Sequence, residues 1–366
     1  MFVADVFNAR VLRFASVGAL KSGAPAESVL GQPDFTTASF TIARSRFSDP
    51  IGLAVDSSRT LWVANSSNHR VLRFDNASSK SIGANADGVL GQADFTTRTA
   101  VTSQSKMSFP SDVVVDSAGN LWAADAGNHR VLRFNNAAAK ADGANADAVL
   151  GQDDFVSKDT ATTATGMNST QSLALDGNGH PWVSDHGNNR ILRYENAASS
   201  STGAAADRVL GQATFTMDDV GTASSLLKAP YGISIDTSGD LWVADKLNNR
   251  VLRFAKVAEK GFGVAADTVL GQMDFVSSAS STTQSTMKAP KGGFSLGSEV
   301  FVSDAENNRI LGFTKPSSAS PISQVSKTLR LALLKKIKKA KKKLKNAKKK
   351  RQTAKLKGLK KKPKSF

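Results

Sequence analysis

Arginine and aspartate recur through this 366-residue chain in register with one another. Six arginines follow one another at intervals of 60 residues, or 59 for the last: Arg10, Arg70, Arg130, Arg190, Arg250 and Arg309. Two sets of aspartates keep the same period: Asp56, Asp116, Asp176 and Asp236 form one set, and Asp5, Asp125, Asp185, Asp245 and Asp304 the other. A catalytic group is not normally needed in every copy, so we predict structural Arg–carboxylate pairs.

Residues that differ between copies are the better candidates for binding. After the proline that begins each unit, the copies carry Ile51, Ser111, Gln171, Tyr231 and Lys291. Copies four to six also carry distinctive residues in a second variable loop, namely His186, Lys246 and Glu306. Together with the residues that follow the proline in these copies, they form the set Gln171, His186, Tyr231, Lys246, Lys291 and Glu306. If the protein binds a small or peptidic ligand, we expect it in this sector.

The second copy shows the elements that position these residues. Apolar and β-branched runs occupy residues 51–55, 61–64, 70–74 and 89–90, separated by Gly, Asn, Asp and Ser. Such short runs with short turns predict an antiparallel meander of four strands, which we call a to d. Strands a and b are continuously apolar, so both of their faces should be covered by neighbouring repeats.

One aromatic position recurs at the second residue of strand b. Its members are Phe2, Trp62, Trp122, Trp182, Trp242 and Phe301. Regular packing between repeats explains this series better than sugar stacking does.

The units at residues 121–134 and 230–236 resemble NHL repeats, the building blocks of six-bladed β-propellers. The resemblance covers residues 1–314 in six copies and implies an all-β fold with four-stranded blades. The sixth copy departs from it, because Leu296 and Gly312 stand where Asp and Arg are expected.

The two ends of the repeat region differ from its middle. The chain opens at strand b and the last copy stops after strand c, so we expect an incomplete first blade. We further expect a missing upstream segment that would include any signal peptide, and a secreted or cell-surface protein. We expect a monomer.

The excess positive charge lies at the C-terminus. A Ser/Pro linker at 315–326 leads to residues 327–366, which hold 18 Lys, two Arg and no acid, whereas residues 1–326 hold 28 basic and 31 acidic residues. The densest cluster is Lys335, Lys336, Lys338, Lys339, Lys341, Lys342 and Lys343. Apolar residues spaced near three and four predict a partly helical or disordered tail that binds an anionic membrane, an envelope polymer or a nucleic acid backbone.

Catalytic signatures are scarce. The chain has no Cys and no nucleophile-elbow, zincin or phosphate-loop motif. His69 and His129 occupy a position where other copies carry Asn, which indicates turn residues. We predict no cofactor and no metal ligands.

Two functions remain. The first is a non-enzymatic scaffold that presents a face to a protein, peptide or glycan and uses its basic tail on anionic surfaces. The alternative, implied by the resemblance, is a lactonase-like hydrolase or lyase with a metal such as calcium in the central channel. The variable positions offer few ligands for such a metal, so binding is favoured over catalysis.

Overall fold

The computed structural model describes residues 1–14, 24–195, 197–200 and 202–315. They form six successive antiparallel sheets within one compact unit, Met1–Thr314. The prediction of an all-β, six-bladed propeller is confirmed. The linker at 315–326, apart from Lys315, and the tail at 327–366, including the lysines from Lys335 to Lys343, lie outside the described residues.

Blades 2 to 5 contain the four predicted strands in the order a, b, c, d. Blade 2 consists of β4 (Pro50–Val55), β5 (Leu61–Asn65), β6 (Arg70–Phe74) and β7 (Gly88–Leu90). Blade 3 consists of β8 (Pro110–Val115), β9 (Leu121–Asp125), β10 (Arg130–Phe134) and β11 (Ala148–Leu150). Blade 4 consists of β12 (Thr170–Leu175), β13 (Pro181–Asp185), β14 (Arg190–Arg193) and β16 (Arg208–Leu210). Blade 5 consists of β17 (Pro230–Ile235), β18 (Leu241–Asp245), β19 (Arg250–Phe254) and β20 (Thr268–Leu270). A short strand, β15 (Thr202–Ala204), pairs parallel with β11 at the outer edge of blade 3.

The terminal blades each show three strands among the described residues. Blade 1 has strands b, c and d, which are β1 (Phe2–Asp5), β2 (Arg10–Arg13) and β3 (Ser28–Leu30). Blade 6 has strands a, b and c, which are β21 (Gly292–Leu296), β22 (Glu299–Asp304) and β23 (Arg309–Thr314). The predicted incomplete first blade is therefore present in the structure.

The recurring arginine begins strand c and lies opposite the last residue of strand b. Arg130 is fully buried, and its Nε donates a hydrogen bond to Asp125 Oδ2 at 2.7 Å. Its Nη1 and Nη2 donate to the carbonyls of Phe155 and Ser103, at 2.6 and 2.8 Å. Each such arginine thus ties its hairpin to the long connections that join strand d to strand a.

The same Nε–carboxylate contact, at 2.6–2.7 Å, recurs in Arg10–Asp5, Arg190–Asp185, Arg250–Asp245 and Arg309–Asp304. The partners are therefore the aspartates at the end of strand b. The aspartates that follow strand a have another role: Asp116 Oδ2 accepts the indole N–H of Trp122 at 3.4 Å, and its Oδ1 accepts backbone N–H groups of the a–b turn.

The predicted packing role of the aromatic series is confirmed for the tryptophans. Trp62 and Val71 of blade 2 belong to one apolar cluster with Val113, Leu121 and Leu132 of blade 3. The same pattern links blade 3 to blade 4 and blade 4 to blade 5. The core is thus a series of layers between blades, as expected for repeats that cannot bury their apolar faces alone.

The Val-Leu-Gly-Gln segment fixes the start of each d-to-a connection. Gly151 has a φ of 85°, and a Cβ there would lie 2.8 Å from Met167 Cγ, so a side chain would be strained and would clash. The amide of Gln92 donates to the carbonyls of His69 and Thr99, at 2.9 and 3.0 Å. These contacts hold the connection against the turn that precedes the buried arginine.

Candidate functional site: the channel mouth

Two kinds of segment meet at one end of the propeller. One is the beginning of each strand a, and the other is a short 3₁₀ turn between strands b and c. These turns are Val6–Asn8, Ser66–Asn68, Ala126–Asn128, His186–Asn188, Lys246–Asn248 and Ala305–Asn307. The residue after each turn adopts a left-handed conformation, with φ between 49° and 55°.

The histidines at this left-handed position are structural. His69 Nδ1 accepts the backbone N–H of Phe109 at 3.1 Å, and His129 Nδ1 accepts that of Ser169 at 2.9 Å. Asn189 uses its Oδ1 for the same bond to Ala229, at 2.8 Å. Burial lowers the pKa of both histidines, which keeps the ring neutral and able to accept. Their predicted role as turn residues is confirmed.

Tyr231 is the centre of the predicted sector. The Nζ atoms of Lys246 and Lys291 lie 5.2 and 5.7 Å from its ring centroid. The His186 ring meets it edge-on, with the centroids 5.8 Å apart. Both lysines are placed to make cation–π contacts, so two ammonium groups lie close to one phenol ring at the channel mouth.

The remaining two predicted residues have other neighbours. Gln171 lines the channel together with Tyr231 and Lys291. Glu306 Oε2 lies 3.1 Å from Lys288 Nζ, and both side chains are about half exposed. The structure therefore gathers His186, Lys246 and Lys291 around Tyr231, places Gln171 on the channel wall, and engages Glu306 in a surface ion pair.

The electrostatics of the mouth follow from burial and from the paired lysines. Burial, then the charge of Lys291, lowers the pKa of Lys246, and Glu306 acts in the opposite direction. Burial raises the pKa of Tyr231, with a further contribution from Asp112. Burial also lowers the pKa of His186, whose Nδ1 donates to the Pro230 carbonyl at 3.0 Å. An anionic group would relieve the repulsion between the lysines.

Asp112 is a channel residue that the sequence prediction missed. Its Oδ2 accepts Ser172 Oγ–H at 2.7 Å and the Leu173 N–H at 2.9 Å, and its Oδ1 accepts the Val113 N–H. Burial raises its pKa to about 6 despite these bonds. A comparison one position further along strand a reveals it, because the other copies carry the small residues Gly52, Ser172, Gly232 and Gly292 there.

Two of the glycines at this position have a steric cause. A Cβ on Gly52 would lie 2.4 Å from Asp112 Cα, and one on Gly232 would lie 2.3 Å from the Lys291 carbonyl oxygen. Strand a of the next blade therefore approaches closely at both positions, and Asp112 lies at the first of these contacts.

The metal-dependent alternative lacks a ligand set in the described part of the chain. Within it, no three His, Cys, Asp or Glu side chains gather closely enough to hold a metal ion. The carboxylates that recur in every blade are already committed to arginine or to turn N–H groups. The described residues thus offer no carboxylate cluster for a channel metal ion.

Among the described residues, no helix has the length and apolarity needed to cross a membrane.

Comparison with known proteins agrees with this architecture. The family model described as "NHL repeat" matches residues 47–74 and 107–134. No curated protein matches the sequence.

Several solved structures are similar to this chain. A chain in the crystal structure of a nidogen/laminin complex is similar to this one, with a TM-score of 0.52 and 14% identity over 86% of this chain and 88% of that one. A protein of unknown function from Bacteroides thetaiotaomicron gives 0.50 and 14%, over 73% and 59%. A catalytically inactive virginiamycin B lyase from Staphylococcus aureus gives 0.41 and 13%, over 74% and 71%. The two matched repeats lie within six successive sheets, so this chain is a six-bladed β-propeller that contains NHL repeats.

Proposed function

We propose that the protein is a non-enzymatic binding scaffold whose channel mouth takes an acidic segment of a partner protein. The observation that carries this proposal is the pair of lysine ammonium groups close to the Tyr231 ring. Among the described residues, no group of three His, Cys, Asp or Glu side chains that could hold a metal accompanies it, and recognition is the function that this arrangement supports best.

Charge gives the site its preference. The charge of Lys291 lowers the affinity of Lys246 for a proton, and a carboxylate near both ammonium groups would be stabilised by both. Tyr231 supplies an aromatic surface with little conformational entropy to lose on binding. An Asp or Glu next to an apolar residue is the partner chemistry that fits.

Exposed apolar side chains on the same face extend the proposed interface. Phe7 and Leu247 project from b–c turns with exposures of 84% and 50%, and Phe109, just before strand a, is 49% exposed. Apolar anchors around a charged centre are typical of protein-binding surfaces. The similar chain in the nidogen/laminin complex is part of a protein assembly, but that likeness concerns the fold alone.

Selection of a displayed random-peptide library on the purified protein tests this proposal. We expect enrichment of acidic peptides, and binding of a selected peptide should weaken at least about tenfold in the Lys246→Gln/Lys291→Gln variant, since a charge-assisted bond contributes about 1.5–3 kcal/mol. Lys256→Gln is the matched control, because Lys256 is 70% exposed and lies in a c–d connection. Peptides without acidic residues, or equal binding by the double variant, would contradict the proposal.

The basic tail is proposed to hold the protein on anionic surfaces. Deletion of residues 327–366 removes a net charge of +20 and should leave the propeller folded. The deletion variant should lose retention on phosphatidylserine-containing vesicles. The full chain should lose it with added salt, because exposed charges are screened within about 10 Å at 0.1 M. Unchanged retention after the deletion would refute this role.

A second pair of variants separates lipid insertion from simple charge attraction. Ile337→Glu with Leu344→Glu disrupts the predicted apolar stripe, whereas Thr353→Glu with Gln352→Glu adds the same charge at polar positions. The first pair should weaken vesicle binding more than the second. Equal losses would identify the tail as a plain polyelectrolyte.

A further inference from the structure

The two histidines at the left-handed position use one ring nitrogen for the fold and leave the other available. Nδ1 of His69 and Nδ1 of His129 each accept a backbone N–H. A nitrogen that accepts a hydrogen bond carries no proton, so the neutral ring holds its proton on Nε2 and is a donor there. Neither Nε2 atom has a hydrogen-bond partner within the described residues, and neither is fully buried. Each ring thus offers one N–H to a ligand.

Blades 4 and 5 show how the same position satisfies its donor internally. Asn189 and Asn249 replace the histidines, and their Oδ1 atoms accept the equivalent backbone N–H at 2.8 and 2.9 Å. Their Nδ2 atoms donate to the carbonyl oxygens of Asp218 and Ser278, both at 2.9 Å. The side-chain donor of this position is therefore bonded to the d-to-a connection in blades 4 and 5, whereas in blades 2 and 3 it is not.

A cation accompanies the histidine in both blades that have one. The position of Asp218 and Ser278 holds Arg98 in the second copy and Lys158 in the third. Both cationic side chains are exposed, and neither forms an ion pair in the part of the chain that the structure describes. Each charge reaches its histidine, because it is the second cause, after burial, that lowers the pKa of the ring.

A glutamine holds each cationic segment against its histidine. Gln92 Nε2 donates to the carbonyl oxygens of His69 and Thr99, at 2.9 and 3.0 Å, and Thr99 directly follows Arg98. Gln152 makes the same two bonds in blade 3, at 3.2 and 2.9 Å. Two carbonyl groups that share one donor are close neighbours, so the backbone next to the cation is fixed beside the histidine.

The two blades differ in the acidic residues near the cation. Asp94 is the one acid in the connection at residues 91–109, and its Oδ1 already accepts the backbone N–H groups of Thr96 and Thr97, at 2.7 and 2.8 Å. The corresponding connection of blade 3 contains three acids: Asp153, Asp154 and Asp159. Blade 2 therefore gives an anion the more favourable electrostatic environment.

We propose that Arg98 and His69 bind a phosphate group, either the free ion or the terminal group of a small phosphate ester. Lys158 and His129 form a weaker copy of this site in blade 3. The imidazole Nε2–H donates to one phosphate oxygen, and the planar guanidinium group of Arg98 pairs with others. A tetrahedral dianion suits two donors that approach from different sides better than a single carboxylate does. The site uses none of the lysines of the acidic-segment face and does not depend on that function.

Imidazole ¹H–¹⁵N spectra of the full-length, ¹⁵N-labelled protein test the proposal at constant ionic strength. Inorganic phosphate should shift the ring signals of His69 saturably, and those of His129 only at higher concentration. The signals of His180 should not move, since this ring lies in an a–b turn and contacts Asp176 Oδ2 at 3.2 Å. Acetate should bind much more weakly than phosphate. Tighter binding of glycerol phosphate would identify an ester as the source, and equal or weaker binding would identify the free ion.

Variants taken from the other blades separate binding from folding. Arg98→Ser introduces the residue of blade 5 and should weaken the His69 response at least about tenfold, the loss of a charge-assisted hydrogen bond, without changing the His129 response. Lys256→Ser is the matched control, because Lys256 is 70% exposed and lies in a c–d connection. His69→Asn keeps the backbone acceptor of blades 4 and 5 and identifies the His69 signals.

Four results would overturn the proposal. They are the absence of a saturable His69 shift, an equal shift of His180, equal binding of acetate and phosphate, and unchanged binding in Arg98→Ser. A phosphate response that persists in the Lys246→Gln/Lys291→Gln variant would show that this site is separate from the acidic-segment face.

Discussion

Blades 2 and 3 place the same arginine in two electrostatic environments. Arg70 and Arg130 are both 0% exposed, and both donate to backbone carbonyls of the d-to-a connections. Arg130 also pairs with Asp125 at 2.7 Å, whereas Asn65 takes the place of the aspartate beside Arg70. Arg70 Nε has no hydrogen-bond partner within the described residues, and burial lowers the pKa of Arg70 to about 10.

The difference shows that the carbonyls suffice to position the arginine. Asn65 Oδ1 accepts the Ser48 N–H at 2.7 Å, as Asp125 Oδ1 accepts that of Ser108 at 2.6 Å, so both hairpins keep the same geometry. What the aspartate adds is charge compensation for a cation that has left water. Blade 2 therefore has the same hairpin geometry, but no aspartate beside Arg70 compensates its charge.

Arg130→Ala should have the largest effect on this comparison. It leaves Asp125 buried without its cation, and the free energy of unfolding should fall by about 3–5 kcal/mol. Arg70→Ala is the matched control and should cost less, because no carboxylate is stranded in blade 2. Urea denaturation of both variants measures the difference. Equal losses would show that carbonyl contacts, and not charge compensation, dominate.

Asp112 extends the comparison to a buried carboxyl group whose hydrogen-bond partners are all neutral. Its pKa is raised to about 6, so the folded state favours the protonated form. Its stabilising contribution is then complete below about pH 4 and is lost as the pH rises through about 6. Asp112→Asn should therefore be more stable than the wild type by about 2–3 kcal/mol at pH 8, and close to it at pH 4.

Denaturation at the two pH values checks this sign, and Asp34 supplies a control of opposite direction. Backbone hydrogen bonds from Thr37 and Thr36 lower the pKa of Asp34 to about 2. Wild type should thus gain stability relative to Asp34→Asn as the pH rises from about 2 to about 4, and little more up to pH 8, so this control needs a further measurement near pH 2. An Asp112→Asn effect that is the same at pH 4 and pH 8 would contradict the assigned burial.

Asn65→Asp should convert blade 2 to the arrangement of blade 3. The new carboxylate would face Arg70 Nε and Asn68, whose equivalents Arg130 and Asn128 donate to Asp125 Oδ2 at 2.7 and 2.8 Å. We expect a gain of about 1–2 kcal/mol, the contribution of hydrogen bonds to a charged group. The melting temperature reports it. A loss of stability would mean that desolvation of the second charge outweighs the pairing.

The period of the repeats made the fold and the arginine pairs predictable. Glycine, asparagine and aspartate in fixed places define the turns, and a position occupied by tryptophan in four copies must be packing. The choice between the two aspartate sets could not be made from spacing, since both keep the period. Strand register decides it, because Asp125 lies opposite Arg130 while Asp116 lies beyond the far end of the same hairpin.

Comparison of the repeats predicted the candidate site less completely than it predicted the fold. Tyr231, Lys246 and Lys291 stand out as departures from the repeat, and the structure brings them together. Asp112 is a departure of the same kind, but its significance depends on how closely strands a of blades 2 and 3 approach one another. That spacing belongs to the closed ring and is absent from any single repeat.

Among the variants compared, Lys246→Ala should change the free energy of unfolding least. Unlike Arg70 and Arg130, Lys246 is part of the channel mouth, and burial and Lys291 already lower its pKa. Removal of its charge relieves repulsion from Lys291 but also removes a cation–π contact with Tyr231. These changes oppose each other, so the free energy of unfolding should shift by less than about 0.5 kcal/mol, as at most surface sites. A loss approaching that of Arg130→Ala in the same urea denaturation would identify Lys246 as part of the core and weaken its assignment to the binding face.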